Sequence, residues 1–154
     1  MPTDKNGPPA ELEDAECRRL LATAAVGRLA YTDGALPAIV PVPFVLHEGH
    51  ILLPIHGYSA VVAAVRGAVV ALEVDDFDPV TETGWSVTVV GPSRVVDDPD
   101  EVGALRGRGL PDGWAGPGRC LVRVHVGLLR GWHVPTRPAG LPSEETGPPG
   151  SAVR

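Results

Sequence analysis

Gly27–Ile55 reads GRLAYTDGALPAIVPVPFVLHEGHILLPI, three β-type runs divided by two turn signals. Asp33-Gly34 is a strong hairpin turn, and His47-Glu48-Gly49-His50 makes the second. The runs are Gly27–Thr32, Leu36–Leu46 and Ile51–Ile55. Pro37, Pro41 and Pro43 recur at or near every second residue of the middle run. Proline cannot donate to a ladder, so this strand is expected to be bulged or to have one side unpaired.

The pattern extends in both directions. Upstream, Cys17, Leu20, Leu21 and Ala24 fall at i, i+3, i+4 and i+7, one helix face. Acids Glu11, Glu13, Asp14 and Glu16 precede Arg18 and Arg19, as the helix dipole favours, and the helix should end near Thr23. Downstream, Ser59–Arg66 reads as a helix with Tyr58 or Ser59 as N-cap and Gly67 as its stop. Ala68–Val74 comes next as a buried strand, then an acidic loop from Asp75 to Gly84, then a long strand from Trp85 to Val96. Within that strand Trp85, Val87 and Val89 share one face and Ser86, Thr88 and Val90 the other. Pro99–Arg108 suits a surface helix with Pro99 near its first position, and Cys120–Val126 and Leu129–Val134 suit two last strands.

The fold class this predicts is mainly β with flanking helices. Its core is a six- to seven-stranded antiparallel β-barrel, closed or split, rather than an alternating α/β sheet, because short hairpin turns favour antiparallel pairing. At 154 residues one domain is expected, over residues 11–134. Residues 1–10 read as a disordered N-terminal arm. Residues 135–154, with five prolines and three glycines, read as a disordered Pro/Gly-rich tail.

Composition narrows the function classes. The formal net charge is −6, no basic stripe is present, and nine acids lie between Glu73 and Glu101. Nucleic acid and anionic membrane are therefore not expected partners. No apolar run reaches a membrane span, and the polar start carries no signal-peptide pattern. Cys17 and Cys120 are too few for a disulfide framework, so free thiols and a cytoplasmic location are expected. Lys5 is the one lysine among thirteen basic residues, which argues against a Schiff-base lysine in the folded part. Arginine in place of lysine, with abundant Ala, Gly, Val and Pro, fits a GC-rich, actinobacterial genome.

In order along the chain, Glu16-Cys17-Arg18-Arg19-Leu20-Leu21-Ala22, Val26-Gly27-Arg28-Leu29-Ala30, Pro41-Val42, Gly57 opening a helix, Val70 to Asp78, and Thr83-Gly84-Trp85-Ser86-Val87 to Gly91 together resemble the pyridoxamine 5′-phosphate oxidase-like family. Its members are FMN-binding split barrels, and the likeness runs from about Leu12 to Val134. It implies a homodimer with FMN in a groove between subunits and a small-molecule substrate. The second and third strands (Pro41, Val42, Leu53, Pro54) would form one wall. Gly57, Tyr58 and Ser59 at the helix start would hold the phosphate, His56 just before them would be a ligand contact or proton donor, and Trp85 and Ser86 would come from the partner. Members that bind FMN commonly carry an Arg near the end of the third strand and a Lys after the helix-opening glycine. Those places here hold Leu53 or Pro54 and Ser59, and an Asn-Tyr pair common in the second strand is Pro43-Phe44.

Between Arg28 and Arg94 the sole cation is Arg66, about two turns down the helix from the expected phosphate. Charge-assisted bonds are roughly twice as strong as neutral ones. Without them the amides of Tyr58 and Ser59, the Ser59 hydroxyl and the helix start remain. The resemblance thus implies a flavin-dependent oxidoreductase with a weakened grip. Two alternatives stay open: a non-catalytic ligand-binding barrel without flavin, and a haem-binding barrel using His56. A deazaflavin would suit an actinobacterial source. His47 and His50 form H-x-x-H on a hairpin tip with no further ligand, so no metal is expected. His125 reads as an edge or interface residue. Trp132, near the end of the last strand, could pack against a flavin. No Ser–His–Asp order or phosphate-binding glycine loop is present, and no catalytic side chain can be named.

Overall fold

The computed structural model describes residues 10–134. The expected tail, and the expected arm apart from Ala10, lie outside these residues. Helix α1 (Asp14–Thr23) leads into the hairpin β1 (Val26–Asp33) and β2 (Leu36–Pro43), with Gly34 at φ 62° in its turn. The expected second strand breaks at Phe44, whose amide donates to the Ala25 carbonyl at 3.2 Å. Beyond the break lies a separate short strand, β3 (Val45–His47), paired with β4 (His50–His56).

Helix α2 (Ala60–Val65) is shorter than the sequence suggests and stops before Gly67, whose φ of 69° permits the reversal. Strand β5 runs Val69–Asp78 and β6 Thr83–Val96. The expected acidic loop is thus mostly strand. Asp75 pairs with Ser86 and Phe77 with Gly84, leaving only residues 79–82 as the turn. The Asp78 carboxylate closes it by accepting from the Val80 amide at 2.8 Å. Helix α3 (Pro99–Gly107) is capped by Asp98, which accepts from the Asp100 amide. Strands β7 (Arg119–His125) and β8 (Leu128–His133) end the described chain.

All strand pairings are antiparallel, in the order β2-β1-β5-β6-β7-β4-β3 with β8 also on β6. Strand β6 holds the two halves together. Its first part lies between β5 and β8, and Ser93–Val96 pairs with β7. The β7–β8 connection crosses β6 at Gly91, where a Cβ would collide with the His125 carbonyl, so only glycine fits. β2 and β3 end the path, each with a partner on one side only, which leaves the sheet open as in a split barrel. Pro37, Pro41 and Pro43 lie on β2, an edge strand with β1 as its one partner. Their missing N–H groups fall on one side of that strand, the arrangement an edge tolerates.

Leu29, Leu53, Leu72, Val87, Val89, Val122 and Val124 fill the space between the half-sheets. Cys17, Leu20 and Leu21 of α1 and Val62 and Val65 of α2 complete that core. A smaller cluster lies on the other face of β4 and β7, where Leu52 and Leu121 meet Val96 and Leu105, with Trp114 packed against it.

Candidate functional site

The residues expected at a cofactor fall into three groups. Alternation along the strands decides which group each one joins.

The first group is enclosed. Leu53 is fully buried on the core side of β4, and Val42 is buried on the core side of β2. Trp85 is half-buried on the core side of β6. Leu53 thus faces the core rather than the surface of this chain. Pro54 points the other way and is also buried.

The second group lies at the end of β4. His56 is exposed, Tyr58 is 98% exposed, and Ser59 occupies the position before α2 with φ −82° and ψ 150°. The Ser59 amide donates to the His56 carbonyl at 3.0 Å and closes the turn, so it is not free for a phosphate. The Gly57 amide donates to the Gly118 carbonyl at 3.0 Å, which ties the loop to the start of β7. The Ser59 hydroxyl is buried and has no hydrogen-bond partner, an uncommon state for a polar atom. It does not cap its own helix.

One cation in this group was not legible in the sequence. Register pairs His56 with Arg119 across β4 and β7, and Arg119 is exposed. The two lie far apart in the chain, and only the β4–β7 register brings them together. Arg66, in contrast, reaches Asp97 at 3.8 Å and belongs to the far end of α2.

The third group covers the outer face of β2, β1, β5, β6 and β8. Pairing places Ile39, Ala30, Ala71, Val90 and Leu128 in one apolar row across all five strands. Ile39 is 70% and Leu128 58% exposed. The adjacent row is Pro41, Arg28, Glu73, Thr88 and Arg130. The Arg28 guanidinium donates to Glu73 at 3.0 Å and to Asp75 at 2.7 Å, and the Ser86 hydroxyl donates to Glu73 at 3.0 Å. Burial and the neighbouring Asp75 push the Glu73 carboxyl above its ordinary value, outweighing Arg28 and Ser86. Pro41 and Ser86 thus share a surface, while Val42 and Trp85 do not reach it. Trp132 sits across from Ser86.

Among the described residues no group of three His, Cys, Asp or Glu could hold a metal ion, and no helix is long and apolar enough to cross a membrane.

An open antiparallel sheet, split at β6, defines a split-barrel protein. Residues 13–127 match the family model for pyridoxamine 5′-phosphate oxidase, and the chain belongs to that family. It is similar to an uncharacterised protein of Mycobacterium tuberculosis, 43% identical over 97 residues. That match takes in 60% of this chain and 64% of the relative, so it spans less than two thirds of the relative's length. Among solved structures it resembles an FAD-binding protein of Mycobacterium smegmatis, with 29% identity, a TM-score of 0.67, and coverage of 82% of this chain and 98% of that one. An FAD-binding protein of Mesorhizobium loti shares the fold with a TM-score of 0.71, 18% identity, and coverage of 83% and 99%.

Proposed function

We propose that this protein binds a flavin between two copies of itself and serves as a flavin-dependent oxidoreductase. The observation that carries the reading is the Ser59 hydroxyl, buried and unpartnered beside an exposed loop. An unmatched buried donor costs roughly 1–3 kcal/mol, and an acceptor oxygen of a flavin phosphate would match it. The residues present fit such a group at this one end. Ser59 and the Tyr58 amide would donate to it, and Arg119 would supply a positive charge in place of the family's two cations.

The outer sheet face supports the second copy. Five adjacent strands expose a continuous apolar row, and monomeric proteins seldom leave contiguous apolar surface of that kind uncovered. A twofold pairing of this face would place Pro41 and Ser86 of one protomer near the other protomer. A closed twofold dimer has two equivalent grooves, hence one flavin per chain.

The resemblance at 29% identity to an FAD-binding protein favours FAD over FMN. Physical chemistry points the same way. FMN depends on its terminal phosphate, where this chain offers one arginine. FAD adds an AMP unit: its diphosphate carries about the same charge as the FMN monoester, and its adenosine makes contacts that do not require cations. A bound flavin would supply hydride or single-electron transfer, while the protein's part is to orient it and exclude water. Titrating the purified protein with FAD and with FMN, followed by flavin fluorescence, tests the reading. FAD should bind more tightly than FMN, and binding of neither would refute it.

A further inference from the structure

An open pocket lies at the opposite end of β4 from the Ser59 loop. Seven residues from His50 to His56, at ~3.3 Å each, separate the two by roughly 20 Å. The cavity has a volume of about 320 Å³ and is lined by His50, Pro92, Ser93, Arg94, Arg123 and His125. Alternation along β4, β6 and β7 leaves His50, Arg94, Arg123 and His125 on the outer face of the second half-sheet, whereas Ser93, paired with the core residue Val124, turns inward with its hydroxyl against the Val65 and Ala68 carbonyls. The sequence suggests an edge or interface position for His125; β7 lies between β6 and β4, and at its end His125 pairs with His50 and has no partner in β6. Its ring stands 5.3 Å from that of His50.

The electrostatics of this cluster are unbalanced. Arg94 and Arg123 are direct cross-strand partners, and like charges so placed repel. One carboxylate, Glu101 of α3, serves both. Arg94 grips it through two bonds of 3.1 and 2.5 Å, and Arg123 adds a third at 3.1 Å. Within hydrogen-bonding distance two guanidinium charges face one carboxylate, while Asp97, which also acts on Arg94, is shared with Arg66 at 3.8 Å. Arg94 and Arg123 form the wall of a cavity, and each guanidinium has five N–H donors, so most remain available.

The position of His50 points the same way. Its Nδ1 lies 3.1 Å from Arg123 Nη2 and 3.0 Å from the Glu48 carbonyl oxygen. Nδ1 can accept from Arg123 or donate to Glu48, but not both. Whenever it donates to Glu48, the Arg123 Nη2 donor faces another donor and lacks an acceptor. An anion in the cavity would supply one.

We propose that this cavity binds a phosphoryl group, as free phosphate or on a small metabolite, through Arg94, Arg123, His50 and His125. The forked geometry of arginine matches phosphate oxygens. The volume lies at the lower end of the roughly 300–1,000 Å³ typical of small-ligand pockets, enough for a phosphate with a small organic substituent. Glu101 is then the resident competitor that holds the arginines in place. The site does not depend on flavin binding.

The test is an NMR titration of the full-length protein, following the His50 and His125 ring signals at constant ionic strength. Inorganic phosphate and glycerol 3-phosphate are the probes, and chloride is the control. The expected result is a saturable shift with either phosphate and none with chloride. Tighter binding of glycerol 3-phosphate would identify a metabolite, and equal binding would identify phosphate itself. Glu101→Gln should tighten binding about tenfold, since it removes the competing charge, and Arg123→Met should abolish it. If Arg123→Met does not fold, Arg94→Met carries the same expectation. Equal response to chloride, or weaker phosphate binding by folded Glu101→Gln, would overturn the proposal.

Discussion

Ser59→Ala should change stability and flavin affinity in opposite directions. In the free protein the Ser59 Oγ is buried without a partner, so the hydroxyl carries a desolvation cost with no compensating bond. Removing it should stabilise the free protein by about 1 kcal/mol, the low end of the range for an unsatisfied buried polar group. For a domain of this size that is a rise in Tm of roughly 3–5 °C. The side chain does not cap α2, so no capping energy is lost. In the complex the same hydroxyl would donate to a charged phosphate oxygen, a bond worth about 1.5–3 kcal/mol. Its loss should raise the flavin Kd roughly 10- to 100-fold. Calorimetry of the free protein and a fluorescence titration measure the two effects. A variant that is less stable and binds flavin as before would refute the reasoning, because Ser59 would then be a structural residue with an overlooked partner.

Other substitutions test the remaining parts of the account. Ile39→Asp with Leu128→Asp should dissociate the dimer. Each residue leaves more than half its surface exposed, and burying it on both protomers is worth about 1–2 kcal/mol per copy. The double variant should therefore sediment as a monomer and lose flavin binding, and an unchanged sedimentation coefficient would contradict the proposed interface. Leu53→Arg should fail to fold, since it places an unpaired charge among fully buried side chains at a cost of several kcal/mol. A folded Leu53→Arg that binds FMN more tightly would show that β4 has another register. Arg119→Gln should raise the Kd for both flavins and flatten its salt dependence. Finally, Arg94 beside Glu101 holds that carboxyl below its ordinary value of 4.5. The stability this pair gives is present above that value and lost as pH falls through the lowered folded value. Trp114, packed in the α3 cluster, should report the loosening by its fluorescence. In Glu101→Gln that acid step should be absent.

The elements that are local in sequence were readable. Asp33-Gly34 and His47–His50 mark their hairpins, Gly67 stops α2, and the prolines of β2 announce an edge. The acidic stretch after Val74 misled because charge reads as loop, although Asp75 is held in β5 opposite Ser86 and bonded to Arg28. The site was only partly legible. Alternation assigns each strand residue to a face, but which face meets the cofactor depends on long-range pairing. The resemblance points to Leu53 or Pro54 near a phosphate, whereas both are buried and Leu53 faces the core. Arg119 is not legible because the register that sets it beside His56 leaves no mark in either segment. The same is true of Arg94, Arg123, His50 and His125, which separate stretches of the chain bring to one cavity.

The central claim is that a barrel lacking the usual phosphate cations still holds a flavin between its two copies. Its most direct test is equilibrium titration of the purified protein with FAD, read by visible absorption and by sedimentation in the same samples. The account predicts saturation at one FAD per chain on a dimer, with FMN binding more weakly. A protein that stays colourless in excess FAD, or that binds FAD as a monomer, would contradict it.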